Sequence, residues 1–339
     1  MVRLVASLVL VLALAAAAPA NEGASIARAP ENAGLPAPAA PGRPAEPDLA
    51  GAIENYDAAI AQNPDDPFAY HGRALVWHRM RELGRAIADY DRAIALAPAY
   101  AVAYRDRGDA WYGRRDFARA IDEYARAVEL NPDDFIAYNN RGAAHEILGF
   151  LDRAVADYTK SVALKPDYAR AYRNRADAWD KKGDAARAIA DYDRAIDLDP
   201  DDFVAYLNRG ATFNNIGRPN RALADFDQSI ELNPNIALSY RNRATILADK
   251  GEVEEAIGDF TQAIALDPAD AADFSQRGWL WARQGAIISS VKDLAYAVWL
   301  RLAGSEGVER WLEMLRTVKN MFGFDPESPG GDARDAPDV

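Results

Sequence analysis

The side chains that most often carry chemistry in proteins are scarce in this sequence. Its 339 residues include no cysteine and only three histidines, His71, His78 and His145. Without cysteine there are no thiol nucleophiles, disulfides or thiolate metal sites. His71 and His78 are two turns apart on one predicted helix, so a metal would need further ligands. We expect these two to pack at the surface or in a groove, and His145 to be a partly buried structural residue.

Recognised catalytic motifs are also missing. The chain has no glycine-rich phosphate loop, no G-x-S-x-G and no H-E-x-x-H. The aspartate pairs Asp133-Asp134 and Asp201-Asp202 stand next to proline in predicted turns, where aspartate caps the following helix. The sequence therefore predicts no catalytic, cofactor-binding or metal-binding residue, and a protein that is not an enzyme.

Charged residues recur in this chain every 34 residues. With each unit numbered from Pro67, position 7 is always arginine and position 23 is always acidic. The arginines are Arg73, Arg107, Arg141, Arg175, Arg209, Arg243 and Arg277, and the acids are Asp89, Glu123, Asp157, Asp191, Asp225, Asp259 and Asp293. Since the two columns occur together and can meet across a helical hairpin, we expect internal ion pairs. The alternative is a cationic ladder for an acidic ligand.

Position 6 carries a ladder that is mostly amide. Its members after Gly72 are Asp106, Asn140, Asn174, Asn208, Asn242 and Gln276. An amide side chain offers both an acceptor and donors, which match the C=O and N–H groups of a passing peptide backbone. The other interpretation, which is equally open, is that these side chains bond to the neighbouring repeat.

The same period arranges apolar residues into two helices per unit. Large residues at positions 4 and 11 and a small residue at position 8 define one helix face, and small residues at positions 20 and 27 with an aromatic at 24 define a second. Glycine at position 15 of five units predicts the turn between the helices. Proline at position 32 of six units ends the second helix, because proline cannot continue it.

This pattern resembles the tetratricopeptide repeat family, whose small residues, aromatics and proline occupy the same positions. The resemblance runs from Pro67 to Gly304 and implies an all-α superhelical solenoid of helix-turn-helix units. Residues 67–304 then form seven units, and residues 47–66 and 305–322 form an N-terminal and a C-terminal capping helix. The units are 67–100, 101–134, 135–168, 169–202, 203–236, 237–270 and 271–304.

The resemblance also implies which positions face an inner groove, namely 2, 5, 6, 9, 12 and 13. We therefore expect a peptide or protein segment to bind in this groove. The candidate residues are Arg105, Asp109, Asn140, Arg173, Asn174, Asp177, Asn208, Arg241, Asn242 and Gln276. The clamp that some family members use for a C-terminal carboxylate needs asparagine at position 9, which no unit has, so we do not expect that function.

The two ends of the chain differ from the repeats. Residues 1–20 combine a positive start, an apolar run and the small-residue site Ala18-Pro19-Ala20, which predicts a signal peptide cleaved after Ala20. The apolar run is shorter than the ~20 residues that span a bilayer, so no integral membrane span is expected in the mature chain. Residues 21–46 read as a Pro/Ala-rich flexible linker, and residues 323–339 as an acidic disordered tail.

Charge and export together define the expected function. With a formal net charge of -13, the chain is a poor partner for nucleic acid and a better one for a neutral or basic protein. The signal and the composition predict an exported, periplasmic or secreted protein of a bacterial envelope. We expect a non-catalytic interaction module or adaptor that binds extended segments in its groove. The alternative is an obligate repeat subunit of an envelope enzyme or secretion complex whose chemistry lies on a partner.

Overall fold

The computed structural model describes residues 48–302, and all regular secondary structure in that range is helical. The helices are α1 Leu49–Gln62, α2 Pro67–Arg79, α3 Leu83–Leu96, α4 Ala101–Gly113, α5 Phe117–Leu130, α6 Phe135–Ile147, α7 Leu151–Leu164, α8 Ala169–Lys181, α9 Ala185–Leu198, α10 Phe203–Asn215, α11 Pro219–Leu232, α12 Ala237–Lys250, α13 Val253–Leu266, α14 Ala271–Arg283 and α15 Ile287–Leu302. The predicted all-α class of repeated helix-turn-helix units is confirmed. The predicted signal peptide, linker, closing cap and tail (1–20, 21–46, 305–322 and 323–339) lie outside the described residues.

Four of the first helices, α2, α6, α10 and α14, begin with an aspartate cap, whereas α4, α8 and α12 have no side-chain cap. The side chain of Asp134 accepts from the backbone N–H groups of Ile136 and Ala137 and so caps the start of α6. At position 15 the backbone is left-handed at all five glycines, for example Gly149 with φ 77°. Arg81 and Arg115 adopt the same conformation in the first two units, with φ 65° and 62°, although glycine would do so at lower cost.

The described chain divides into two compact parts, residues 48–205 and 206–302. In the first part each helix from α1 to α9 packs on the next along the chain, as in α2 with α3 and α3 with α4. In the second part α11 to α15 follow the same order. This sequential packing puts the first helix of each unit in one layer and the second helix in the other.

The core of both parts is built from one large side chain per unit set against small residues, a ring in the first six units and Leu294 in the seventh. The rings at position 24 are buried: Tyr90, Tyr124, Tyr158, Tyr192, Phe226 and Phe260. Alanine at position 20 is fully buried in the first six units, as at Ala188. A Cβ added to Gly142 would lie 2.8 Å from the ring of Tyr158, which explains why position 8 is small.

The two charged columns pair with each other, as predicted from their matched occurrence. Every position 7 arginine donates to the position 23 carboxylate of its own unit, and in six units both Nε and Nη2 take part. In unit 3, Arg141 Nη2 lies 2.6 Å from Asp157 Oδ1. Nη1 of Arg73 also reaches Asp57 on the preceding second helix, at 2.5 Å. These arginines therefore join helices within the protein.

Candidate functional site

The first helices of the part 48–205 form a continuous face. Helices α2, α4, α6 and α8 contact each other in sequence. We call the surface formed by positions 2, 5, 6, 9, 12 and 13 of these helices the first-helix face. Six of the ten predicted groove residues lie on it, namely Arg105, Asp109, Asn140, Arg173, Asn174 and Asp177.

Arg105 and Arg173, both at position 5, are ion-paired along this face. Arg105 Nη1 lies 3.1 Å from Asp134 Oδ2, and Arg173 Nη1 lies 2.7 Å from Asp202 Oδ2. Both aspartates also cap the first helix of the next unit. Each arginine therefore ties its own first helix to the start of the following one.

The amide ladder makes hydrogen bonds between repeats at the two positions that lie on this face. Asn140 donates from Nδ2 to Asp109 Oδ1 at 2.9 Å, and Asn174 donates from Nδ2 to Asn139 Oδ1 at 3.0 Å. In both cases the acceptor belongs to the preceding unit. Asn140 and Asn174 are half-buried, so each keeps some surface beside the bond it makes.

The remaining ladder members lie in the part 206–302. Asn208 and Asn242 are 1% and 2% exposed, which leaves their side chains in the protein interior. Gln276 on α14 is exposed, and the neighbouring Trp279 is 41% exposed. Arg241 at position 5 lies 2.6 Å from Asp273 and 2.9 Å from Asp270. Of the four candidates in this part, Gln276 is the one exposed to solvent.

A row of carboxylates runs along the first-helix face, each held by a buried tyrosine. Tyr124 donates its hydroxyl to Asp109 at 2.7 Å, and Tyr158 donates to Glu146 at 2.7 Å. Tyr192 donates in the same way to Asp177. We call Asp109, Glu146 and Asp177 the carboxylate row. Burial raises the pKa of Tyr124 first, and the Asp109 carboxylate raises it further.

Sequence analysis missed Glu146, although a signal for it was present. A buried tyrosine hydroxyl needs a hydrogen-bond partner. Units 2 and 4 supply an aspartate at position 9, whereas unit 3 has Ala143 there and Glu146 one turn later. A search for an acid within reach of each position 24 tyrosine would have found this residue.

His71 was also missed as a member of a polar cluster. His71 is only 8% exposed. Its Nε2 lies 2.8 Å from Asp106 Oδ2, and its Nδ1 lies 3.2 Å from the hydroxyl oxygen of Tyr100. Asp106 also lies 3.1 Å from Arg105. Asp106 is therefore ion-paired with Arg105 and hydrogen-bonded to His71.

Glu146 is ion-paired with Lys181 at 2.9 Å, whereas Asp109 makes no ion pair among the described residues. Asp109 Oδ1 accepts both the Tyr124 hydroxyl and the Asn140 amide, while Oδ2 has no hydrogen-bond donor and no ion pair among the described residues. Burial raises the pKa of Asp109 to about 6. The nearby Asp106 also raises this pKa, whereas the hydrogen bonds from Tyr124 and Asn140 lower it. A cation placed at Oδ2 would be attracted.

The face also carries exposed apolar side chains at its start. Phe68 and Leu75 on α2 are 65% and 44% exposed. They lie seven residues apart, which places them on one side of the helix. The Phe68 ring meets Tyr100 edge-on, with 5.2 Å between ring centroids.

Within 48–302 no group of three or more histidine, aspartate or glutamate side chains is arranged to hold a metal ion. None of the helices described there is both long and apolar enough to cross a membrane.

Comparison with known proteins identifies the family. The model of the tetratricopeptide repeat matches residues 48–101, 105–166, 148–203 and 214–271, and a second model of the same repeat matches 191–224. The chain belongs to the tetratricopeptide repeat family. No curated protein matches this tetratricopeptide repeat protein.

Solved structures share the fold. A tetratricopeptide repeat protein from Parabacteroides merdae is 21% identical, with a TM-score of 0.54 over 69% of this chain and 92% of that one. PilF of Pseudomonas aeruginosa is 17% identical, with a TM-score of 0.55 over 63% and 97%. A chain of the APC/C hetero-tetramer Cut9-Hcn1 is 15% identical, with a TM-score of 0.60 over 69% and 46%.

The family assignment establishes the broad role of the repeats. Tetratricopeptide repeats bind protein or peptide partners, and in general they do so without catalysing a reaction. This chain is accordingly a protein-protein interaction module.

Proposed function

We propose that this tetratricopeptide repeat protein is a non-catalytic adaptor that binds an extended segment of a partner protein along its first-helix face. The observation that carries the proposal is the pair Phe68 and Leu75, exposed on α2, which contacts α4, the helix that carries Asp109 of the carboxylate row. Apolar side chains that can bury surface, followed by polar groups that can orient a backbone, are the usual composition of a protein-binding surface. Arg105 and Arg173 are already ion-paired and serve to hold this face in shape.

The partner's chemistry follows from the charge of the face. Asp109 and Asp177 lie along it together with Glu146, which is paired with Lys181 at 2.9 Å, and the whole chain has a formal charge of -13. This balance favours a neutral or basic polypeptide and disfavours nucleic acid, whose phosphates would be repelled.

The place of action is part of the proposal and rests on residues 1–20. Their charged start, apolar run and small-residue cleavage site support export to the periplasm or beyond. The adaptor would then meet its partners in a bacterial cell envelope.

A site-specific photocrosslinker tests the binding face. We would place it at Leu75 on the first-helix face and, in a matched variant, at Ala88, which is exposed on the second helix α3 of the same unit. We expect a protein crosslinked from position 75 and not from position 88 in intact cells. Leu75→Asp should then weaken binding of the purified partner. Capture from position 88 alone, or a partner indifferent to Leu75→Asp, would refute this face.

The same experiment separates an adaptor from an obligate subunit. An adaptor should yield several partners that dissociate during purification. One partner that stays bound in a fixed ratio through gel filtration would instead identify a subunit of an envelope complex.

A further inference from the structure

The junction of units 1 and 2 combines two unsatisfied polar groups. One is the hydroxyl of Tyr90, which is buried and has no hydrogen-bond partner among the described residues. The other is Oδ2 of the half-buried Asp109, which has neither a hydrogen-bond donor nor an ion pair among the described residues. Buried polar groups are nearly always paired, so the Tyr90 hydroxyl calls for an explanation.

The Tyr90 hydroxyl lacks a partner among the described residues because unit 1 has no acid at position 9 or position 12, the positions that supply one in units 2 to 4. At the same position in unit 2, Tyr124 donates to Asp109, and in unit 4, Tyr192 donates to Asp177. In unit 1 position 9 is Leu75. Burial raises the pKa of Tyr90, and the carboxylates of Asp106 and Asp109 raise it further, so its hydroxyl lies within their field.

Asp109 is the acid of this junction whose charge is not balanced. Asp106 is paired with Arg105 and lies 2.8 Å from His71. Arg105 is shared between Asp106 and Asp134. The Arg105 charge lowers the pKa of Asp109 from a distance, but Asp109 makes no ion pair among the described residues, and its two hydrogen bonds both end on Oδ1.

We propose that this junction is a subsite for an arginine side chain of the bound partner segment, a proposal that rests on the binding function proposed above. The guanidinium group would donate to Asp109 Oδ2 and to the Tyr90 hydroxyl oxygen, and the aliphatic stem would lie against Leu75 and Phe68. Arginine fits better than lysine because its planar fork can serve two acceptors at once. It is also more weakly hydrated, so it enters a half-buried site at a lower cost.

The subsite should respond to pH because the proton and the guanidinium compete for Asp109. The groups that face Asp109 are Asp106 and Arg105 on its own helix α4, Tyr90 on α3, Tyr124 on α5 and Asn140 on α6. With the pKa of Asp109 at about 6, the carboxylate is mostly ionised at neutral pH and mostly protonated in mild acid. Affinity for an arginine-bearing segment should therefore fall as the pH is lowered through about 6.

The probe is a random peptide library displayed on phage and selected on the full chain, followed by synthetic copies of the enriched peptides. In each copy, arginines are replaced one at a time by citrulline, which is neutral and of nearly the same shape. We expect one replacement to weaken binding by about tenfold or more. The ratio of the affinities of the arginine and citrulline peptides should fall to about one in the Asp109→Asn variant, whose side-chain oxygen can still accept from Tyr124 and Asn140.

Two further variants make the test specific. Asp177→Asn changes the matched residue of unit 4, which accepts from Tyr192 in the same way, and it should leave the arginine-to-citrulline ratio unchanged. Tyr90→Phe should weaken the arginine peptide without lowering the urea midpoint, since the hydroxyl has no partner to lose.

The outcomes separate the subsite from the broader function. One outcome would overturn the subsite and leave the binding face intact. In it, the peptides bind the wild-type chain and fail to bind Leu75→Asp, but replacing their arginines weakens binding equally in the wild type and in Asp109→Asn. A preference for lysine at that peptide position would also overturn the subsite. If no peptide is enriched on the wild-type chain, both proposals fail.

Discussion

Asn140 donates a hydrogen bond of 2.9 Å to Asp109, which belongs to the preceding repeat. The same carboxylate oxygen also accepts from Tyr124, which comes from the second helix of the preceding unit. One oxygen atom therefore joins side chains of three helices, α4, α5 and α6. The amide ladder at this point helps to fix how one unit stacks on the next.

The first prediction follows from this contact. Asn140→Ala removes the hydrogen bond between repeats and should lower the free energy of unfolding by about 0.5 to 1.5 kcal/mol. Gln276→Ala is the control, because Gln276 holds the same position in unit 7 and is exposed. Urea denaturation followed by circular dichroism measures both. Equal midpoints for the two variants would contradict a structural role for Asn140 and leave it available to a ligand.

The second prediction concerns the pH dependence of stability at Asp109. Its pKa is raised to about 6 in the folded protein from an ordinary value of 3.8, so the folded state binds this proton more tightly than the unfolded chain does. The contribution of Asp109 to the free energy of unfolding therefore falls as pH rises from about 4 to about 6 and stays low above that range.

Asp109→Asn should accordingly be more stable than the wild type at neutral pH, by about 1 to 2 kcal/mol. The difference should shrink as pH falls toward about 4. Asp122→Asn, an exposed site on α5, changes the net charge equally and serves as the control. A gain in stability that is independent of pH, or shared by the control, would show that the ionised carboxylate is not the cause.

The repeat period predicted most of the fold because the same residues recur in register. The pairing of Arg141 with Asp157 could be inferred because both columns are complete in all seven units. The hydrogen bonds between repeats could not be inferred, since a period along the chain does not give the rotation between stacked units. Asn174 donates to Asn139 of the preceding unit, whereas the sequence allowed a bound peptide backbone equally well as its hydrogen-bond partner.

Features that depart from the repeat were the hardest to foresee. Arg81 and Arg115 take the left-handed conformation that five other units assign to glycine. His71 becomes a partner of Asp106 only because unit 2 has an acid where later units have amides. At the candidate site, the sequence predicted Asp109 and Asp177 but not the buried tyrosines that donate to them. The helix faces can be read from the sequence, but they do not show which acceptor a tyrosine hydroxyl reaches.

The third prediction tests the ion pairs at the helix hairpins. Arg141→Ala leaves the buried Asp157 with His145 as its remaining partner among the described residues, and should lower the free energy of unfolding by about 3 kcal/mol. Arg126→Ala is the matched control, because Arg126 pairs with Glu129 at the surface, where the loss of an ion pair has little effect on stability. Thermal and urea denaturation give the comparison. Similar losses for both would mean that burial adds little to the hairpin pair.

The fourth prediction concerns export. A reporter fused after residue 30 should be delivered outside the cytoplasm, and the mature chain should begin at Asn21, because residues 1–20 have the three parts of a signal peptide. N-terminal sequencing of the fractionated protein measures this directly. An intact Met1 on protein that only detergent releases would favour an uncleaved anchor instead.

The last prediction tests the packing that gives each unit its shape. Ala188 on α9 is fully buried beside the ring of Tyr192, whereas Ala190, two residues later, is exposed on the same helix. Ala188→Leu forces extra volume into a filled interface and should cost about 1 to 3 kcal/mol, while Ala190→Leu should have little effect. Because both variants add the same side chain to one helix, their difference isolates packing from helix propensity. Equal urea midpoints would mean that the interface can open around the larger side chain, and that the small residue at position 20 is not what sets the distance between the helices.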